Sequence, residues 1–341
     1  MKKKIITILK YVILLGVAAG LLFYALRGMD IKKIIQQIFH ADVFWVSVSG
    51  ALSIIAFVVR AHRWKLLIDP LGYAPSLKNT TYSVMVGYFA NLALPRLGEV
   101  TRCGALSKSD SIPFNKLLGT VIVERIIDVL CLFICILMAA AIEYKRLGSF
   151  FGEKVFDPLG EKFQLLAKSP LLLVAVIALV IGLLIIFIYF LRKSKKKNSG
   201  SPVSKIIKGF VDGLRSVANL KRPWLFIFES AFIWVIYYLG VYVALFAFPF
   251  TSGLGAGAAL FLLVAGGLGM SAPVQGGIGT YHILVSQGLV LYGVTEENGY
   301  AFAFMLHGLQ LVLVILLGIA SLFLLFSAKK NKQVSPLPVE G

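Results

Sequence analysis

N-T-T-Y-S-V-M-V-G-Y-F-A-N-L-A-L-P, residues 79–95, is the stretch on which the fold turns. It is apolar enough to enter a membrane, yet it sits at the lower limit of about 17 residues for a helix that crosses one. Pro95 removes a backbone donor, Gly98 loosens the chain, and Arg96, Glu99 and Arg102 follow at a spacing of three. Whether the stretch crosses or turns back depends on which side its neighbours occupy.

That the setting is a membrane follows from composition. Of 341 residues, 58% are hydrophobic and only 15% charged, with mean hydropathy +0.86. A soluble domain carries about 25% charged residues. So few charges cannot cover a globular surface, which excludes a soluble enzyme, a disordered scaffold and a secreted disulfide scaffold. The net charge of +18 belongs to loops that face anionic lipid headgroups, not to a nucleic-acid surface. The odd set Cys103, Cys131 and Cys135 implies no disulfide framework.

Candidate spans cover residues 8–26, 43–60, 79–95, 117–142, 171–191, 224–248, 255–272, 277–293 and 300–327. The start MKKKIITILK has no small-residue cleavage site after its apolar run, so a retained first span is expected. Lys and Arg in loops set orientation. Residues 192–222 carry ten Lys/Arg against Asp212, and this loop is expected in the cytoplasm, together with both termini. Residues 294–299 hold Glu296 and Glu297 without a base, and residues 143–170 are nearly balanced; both are expected outside.

Counting crossings then places both ends of 79–95 on the cytoplasmic side, so the stretch is expected to be a re-entrant hairpin. Such backbone survives at membrane depth only when buried in protein or lining a wet cavity. Residues 255–293 leave and return on the outer side, as two full spans or as a second re-entrant hairpin joined at SAPVQGGIG (271–279). The expected fold class is therefore all-α: a polytopic membrane helix bundle with one or two re-entrant hairpins and an inverted repeat, 43–142 and 224–327. Amphipathic stretches precede each half. Ile31, Ile34, Ile35, Ile38 and Phe39 share one face, as do Ile206, Phe210, Leu214 and Val217. Both are expected along the interface.

Charges inside spans need a partner or a wet cavity. Arg96, Glu99 and Arg102 recur at a spacing of three, which places them along one helical face. V-E-R-I-I-D places Glu124 and Asp128 four apart, with Arg125 three before Asp128, in the otherwise apolar run 117–142. These charges are expected to meet Arg96 and Arg102 across a helix interface, as a phosphate-binding or proton site or as a structural ion-pair network. A guanidinium matches a phosphate through two parallel hydrogen bonds. The break P-V-Q-G-G-I-G-T-Y-H (273–282) offers Pro273, Gly276, Gly277, Gly279, Tyr281 and His282. A helix beginning near Ile278 would expose amides to an anion; the plain alternative is close packing through small residues. Glu229 is expected to snorkel, His307 and Gln310 to bond neighbouring helices, and Cys131 and Cys135 to pack. No zinc, Walker A or nucleophile-elbow motif is found, so no metal, no cofactor and no catalytic residue is assigned.

L-P-R-L-G-E-V-T-R (94–102), E-R-I-I-D (124–128), P-V-Q-G-G-I-G (273–279) and R-A-H-R-W-K-L-L (60–67) together resemble the lysylphosphatidylglycerol synthase transmembrane region family, also called flippase-like. The resemblance covers residues 5–327. It implies a multi-pass protein of a bacterial-type inner membrane that moves a lipid between leaflets. It also implies that Arg96, Glu99, Arg102, Glu124, Arg125 and Asp128 form the polar motifs, and Pro273, Gly276, Gly277 and Gly279 the hairpin motif. Full-length synthases carry a catalytic domain after the membrane region; the chain ends at Gly341, so synthase activity is not expected. The domain reading is a single transmembrane domain, 1–327, with a disordered tail, 328–341. The expected function is translocation of an anionic or modified phospholipid or a lipid-linked molecule. A membrane enzyme of glycolipid or phospholipid metabolism and a non-transporting partner subunit are the alternatives. Expected partners are membrane phospholipid, anionic headgroups at the basic loop and a second copy of the chain, with no nucleic acid.

Overall fold

A computed structural model describes residues 26–93, 96–144, 220–272 and 274–327, with residues 16, 20, 22 and 23. Several expectations lie outside these residues: most of the first span, the span 171–191, nearly all of the outer loop 143–170 and of the basic loop, the second amphipathic stretch, Pro95, Pro273 and the tail. The chain divides into two compact units, 1–139 with 209–341, and 140–208. Of the second, residues 140–144 are described, the end of one long helix and the two residues after it.

Among the described residues there are nine α-helices: α1 (Ile31–Phe39), α2 (Val43–Ile68), α3 (Leu77–Ala93), α4 (Leu97–Asp110), α5 (Phe114–Ile142), α6 (Pro223–Ala244), α7 (Ala256–Ser271), α8 (Thr280–Val290) and α9 (Glu296–Ser327). Four stretches are long and apolar enough to cross a membrane: Val43–Leu71, Phe114–Ile142, Pro223–Ala247 and Glu296–Leu325. Their outer faces expose Ile55, Leu130, Phe133, Leu137, Leu316 and Phe323, a belt that water would not tolerate but lipid does. The protein is a polytopic all-α membrane protein.

Local signals explain the helix starts. Asp30 accepts from the Lys33 amide at the head of α1, and Asp42 from the Phe44 amide at 2.8 Å at the head of α2. Helix α1 buries Ile34 against Tyr300 and Ala301 of α9, while Ile31, Ile35 and Phe39 stay exposed. An apolar face left open in this way suits an interfacial helix.

Two pairs of short helices lie between the long ones. At about 1.5 Å per residue, α3, α4, α7 and α8 are each shorter than the roughly 30 Å of hydrocarbon. The order long helix, short pair, long helix occurs twice: α2, α3–α4, α5, then α6, α7–α8, α9.

The first pair corrects the expected hairpin. Residues 79–95 do not fold back on themselves. Leu77–Ala93 is one continuous arm, and the return arm is Leu97–Asp110, a segment too polar to be noticed as apolar. A Cβ on Gly87 would lie 2.8 Å from the Gly98 carbonyl oxygen and 3.0 Å from Arg102 Cβ, so the arms meet backbone to backbone. The Gly98 amide donates to Asn91 Oδ1 at 2.6 Å, which satisfies one of the orphan donors at the start of α4. Helix α2 also runs eight residues past the expected end at 60, so the expected loop 61–78 begins as helix.

Long helices α2 and α6 pack antiparallel, joined near one end by Ser49 Oγ donating to the Gly240 carbonyl at 3.0 Å and near the other by side chains of the polar cluster. Helix α9 packs on α3 and α8, and Gln275, in the 3₁₀ turn Gln275–Gly277 between α7 and α8, donates to the Ala93 carbonyl at 3.0 Å.

Candidate functional site

Helix α2 ends in R-A-H-R-W, and the spacing puts Arg60 and Arg63 on one face. Facing them on α5 are Glu124 and Asp128, four apart. Arg60 Nη2 donates to Glu124 Oε1 at 2.8 Å and to Asp128 Oδ2 at 2.5 Å. Arg63 Nη2 donates to Asp128 Oδ1 at 2.7 Å and lies 3.4 Å from Glu124 Oε1. Helix α4 brings Arg102, whose Nη1 pairs with Glu124 Oε2 at 3.0 Å. Arg125 lies 3.5 Å from Glu99 Oε1 through Nε and 3.8 Å from Asp128 Oδ2 through Nη1. Four guanidiniums thus face three carboxylates, with one positive charge left over.

The surroundings hold these groups in place. Arg102 stacks over the Trp64 ring at 4.7 Å, and Trp64 Nε1 donates to Thr120 Oγ1 at 2.8 Å. Arg60 lies over the Tyr88 ring and donates to the Tyr237 hydroxyl at 3.1 Å. The side chains of Arg63 and Glu124 are fully buried, and that of Arg102 is 4% exposed. Burying Arg60, Arg63, Arg102, Glu124 and Asp128, with Glu99 and Arg125 at the more open rim, is costly, and it is offset only by mutual pairing and hydrogen bonds.

The pairing is incomplete, and Arg60 Nε and Arg63 Nε, deep in the cluster, lack a hydrogen-bond partner among the described residues. Arg102 Nε and Nη2, Arg125 Nε and Glu99 Oε2 are buried atoms without a hydrogen-bond partner among the described residues. Their residues border a narrow recess at α3 and α4, with room for about one water molecule, that is also lined by Val84, Gly87, Tyr88, Asn91 and Gly98. Spare N–H donors on two arginines, beside a spare carboxylate acceptor, offer a phosphate the two-pronged contact that guanidinium geometry favours.

Of the residues singled out in the sequence, Glu99, Arg102, Glu124, Arg125 and Asp128 come together. Arg96 does not. It is exposed and sits at φ 64° as the N-cap of α4, so the helical spacing that would align it with Arg102 begins only after it. Arg60 and Arg63 hold the cluster instead. In the sequence both stand at the end of an apolar run, where basic residues ordinarily mark the cytoplasmic side; their i,i+3 spacing is the signal that points to the cluster.

The second motif forms a separate group. Gly276, Gly277 and Gly279 have φ of 56°, 73° and 88°, conformations that favour glycine. Gly266 and Gly269 serve close packing, since a Cβ on either would fall within 2.8 Å of Tyr281. Helix α8 starts at Thr280, two residues after Ile278, with Gly279 as its N-cap. The Gly279 amide donates to His282 Nδ1 at 3.2 Å, and His282 Nε2 lies 3.2 Å from His307 Nδ1. With His282 Nδ1 an acceptor, the neutral ring carries its proton on Nε2 and donates to His307, whose own proton then sits on Nε2. Tyr281 and His282 are buried, and His282 stacks on Phe304. Packing, rather than an open anion site, accounts for this helix start.

Glu229 does not snorkel. It is buried on α6, where it accepts from His62 Nδ1 at 2.5 Å. Cys135 packs in the apolar core with Ala139 and Val241. Among the described residues no group of three or more His, Cys, Asp or Glu is placed to hold a metal ion.

Residues 8–318 match the family described as the lysylphosphatidylglycerol synthase TM region. A UPF0104 membrane protein of Methanocaldococcus jannaschii is 32% identical over 130 residues, an alignment that spans 37% of this chain and 36% of that protein. The chain thus aligns with little more than a third of this relative's length. No solved structure matches.

Proposed function

Because the chain belongs to the lysylphosphatidylglycerol synthase transmembrane-region family, we propose that this membrane protein is a lipid translocator. In this reading the α3–α4 hairpin enters from the cytoplasmic side and offers Arg102 and Arg125 to the phosphate of a membrane lipid. The α7–α8 hairpin enters from the outside and closes the path at Gln275. The halves 43–142 and 224–327 act as an inverted repeat whose hairpins open in alternation, an architecture known for secondary transporters. The basic loop 192–222 rests on anionic headgroups of the inner leaflet.

The observation that carries the reading is the uneven pairing in the cluster. A purely structural network gains most when its charges balance and every donor is used. Here one positive charge is left over among the seven groups, and three of the five unpartnered arginine N–H atoms, Arg102 Nε and Nη2 and Arg125 Nε, lie on residues that line a recess, while Arg60 Nε and Arg63 Nε do not. A phosphodiester monoanion offsets that charge and accepts from those donors. Glu124 and Asp128 position the arginines and do not touch the phosphate.

The test is movement of a fluorescent phospholipid between leaflets of proteoliposomes containing the purified protein. The wild type exchanges the probe; Arg102→Ala falls to the protein-free rate, while Glu124 keeps Arg60 and Arg63 and the fold survives. Arg102→Lys retains the charge but loses the fork, and is intermediate. Wild-type exchange by Arg102→Ala would remove the arginine site from the account. Chemical turnover of the lipid would favour an enzyme, and a stable complex without movement a partner subunit.

A further inference from the structure

Beside the arginine cluster lies a second titratable pair that the lipid site does not use. His62 of α2 and Glu229 of α6 meet at 2.5 Å through Nδ1 and Oε1. Each is six residues from a helix end, His62 from Ile68 and Glu229 from Pro223, about 9 Å along the axis. The His62 side chain is 35% exposed and that of Glu229 10%, so one partner is open to the surroundings and the other is closed. Glu229 Oε2 is buried and has no hydrogen-bond partner among the described residues. A clamp whose only task was to tie α2 to α6 would gain by satisfying both oxygens.

The groups around the pair set it apart from the other carboxylates. Glu124 and Asp128 are each shared among arginines, which never give up their charge. Glu229 faces a histidine, whose second ring nitrogen is able to take up or release a proton. The other charged group beside Glu229 is Arg63 from α2. Arg63 Nη1 reaches Ser230 Oγ, the residue next to Glu229, at 3.4 Å, while its Nη2 holds Asp128 of α5 at 2.7 Å. One guanidinium therefore joins Asp128 of α5 to the residue beside Glu229 on α6.

We propose that His62 and Glu229 form a proton-binding site that couples lipid movement to the proton gradient; this rests on the translocator reading. With His62 neutral and Glu229 ionised, the pair carries one negative charge, and Nδ1–H donates to Oε1. One proton from water adds at the exposed Nε2 of His62, the pair becomes neutral overall, and no other bond changes. Loss of that proton restores the negative charge beside Arg63. In the negative form Arg63 is drawn toward Glu229 and its hold on Asp128 weakens; in the neutral form it stays on Asp128. The proton count thereby sets how firmly α2 is locked to α5, and a proton that favours one state of this contact over the other shifts the balance between them.

Two measurements test this. The first is infrared difference spectroscopy of the purified protein between acid and alkaline buffer. It is expected to show a histidine–carboxyl signal that Glu229→Gln and His62→Asn each remove while eluting as wild type. An unchanged spectrum in both variants overturns the proposal whether or not lipid moves. The second uses proteoliposomes with fluorescent phosphatidylglycerol and an imposed pH difference. The steady-state leaflet ratio of the probe is expected to shift by up to about tenfold per pH unit, the limit for one proton. In Glu229→Gln exchange continues, but the ratio stays even at any gradient. Wild-type exchange indifferent to the gradient, or Glu229→Gln that still follows it, overturns the coupling. Absence of all exchange in the wild type overturns the coupling together with the translocator reading, and the spectroscopy then stands as the test of proton binding alone.

Discussion

Gln275 Nε2 donates to the carbonyl of Ala93 at 3.0 Å, joining the tips of two helix hairpins 182 residues apart in sequence. Gln275 is 3% exposed, and next to it a Cβ on Gly276 would meet Leu92 at 3.4 Å. The contact is therefore close-packed as well as polar. A translocator with one hairpin from each side needs such a meeting point, because it is where the path closes.

Gln275→Leu keeps the bulk but leaves the Ala93 carbonyl without its donor. It is expected to cost about 1–3 kcal/mol, the range for a buried group left unsatisfied. Disulfide trapping checks the geometry: cysteines at 93 and 275 are expected to cross-link in the resting protein, and failure to do so would separate the tips.

Gly87 and Gly98 let the arms of the first hairpin touch. Gly87→Ala is expected to destabilise by about 1–3 kcal/mol through overpacking, since its Cβ would stand 2.8 Å from a backbone oxygen. Gly104, on the same arm as Gly98, has nothing within 4 Å of a built Cβ. Gly104→Ala is expected to be neutral or to stabilise by roughly 0.5–1 kcal/mol, the helix preference of alanine over glycine. Thermal midpoints in detergent distinguish the two; equal effects would mean that the arms are not packed through glycine.

Glu124 meets Arg60, Arg63 and Arg102. Glu124→Gln leaves buried arginines uncompensated and is expected to cost about 3–5 kcal/mol. Adding Arg63→Met removes one of those charges, so the double variant is expected to lose less than the two single changes together, with a coupling of about 0.5–3 kcal/mol. Additive losses would show that the two side chains do not interact.

Lys33 Nζ lies 2.5 Å from Glu297 Oε2, and this hydrogen bond with its attraction raises the ammonium above its ordinary value. A base raised in the folded state contributes in full below its unfolded value and loses that contribution as pH rises through the folded one. Lys33 therefore fastens α1 to the start of α9 throughout the neutral range and releases only above about pH 10.4. A spin label at Gln36→Cys is expected to gain mobility on that side and in high salt. Lys33→Met is expected to show the same mobility at neutral pH, and a label as immobile as in the wild type would make the pair irrelevant to docking.

The long helices were legible because apolar runs of spanning length have few other uses, and Glu124 and Asp128 stood out as charges within one. The return arm Leu97–Asp110 was not legible. It carries Glu99, Arg102 and Lys108, and its burial rests on the opposing charges together with only two apolar side chains, Cys103 and Leu106, packed against Trp64, Val84 and Leu117. Arg96 was misplaced because helical spacing says nothing about where the helix begins, and its left-handed φ starts α4 one residue later. Arg60 and Arg63 were passed over because the apolar signal of α2 fades before its helix does. In the break at 273–282 glycine marks both positive φ and close packing; the sequence separates neither from an anion site, whereas the Gly279 amide, which donates to His282 Nδ1, does.

The central claim is that a lipid phosphate binds at the recess beside Arg102 and Arg125. Solid-state NMR between arginine 15N and lipid 31P in phosphatidylglycerol bilayers measures this contact directly. A close arginine–phosphorus contact is expected in the wild type; Arg102→Lys loses the Arg102 share of it and keeps the Arg125 share, with surface contacts unchanged. A phosphorus signal identical in both proteins would contradict it.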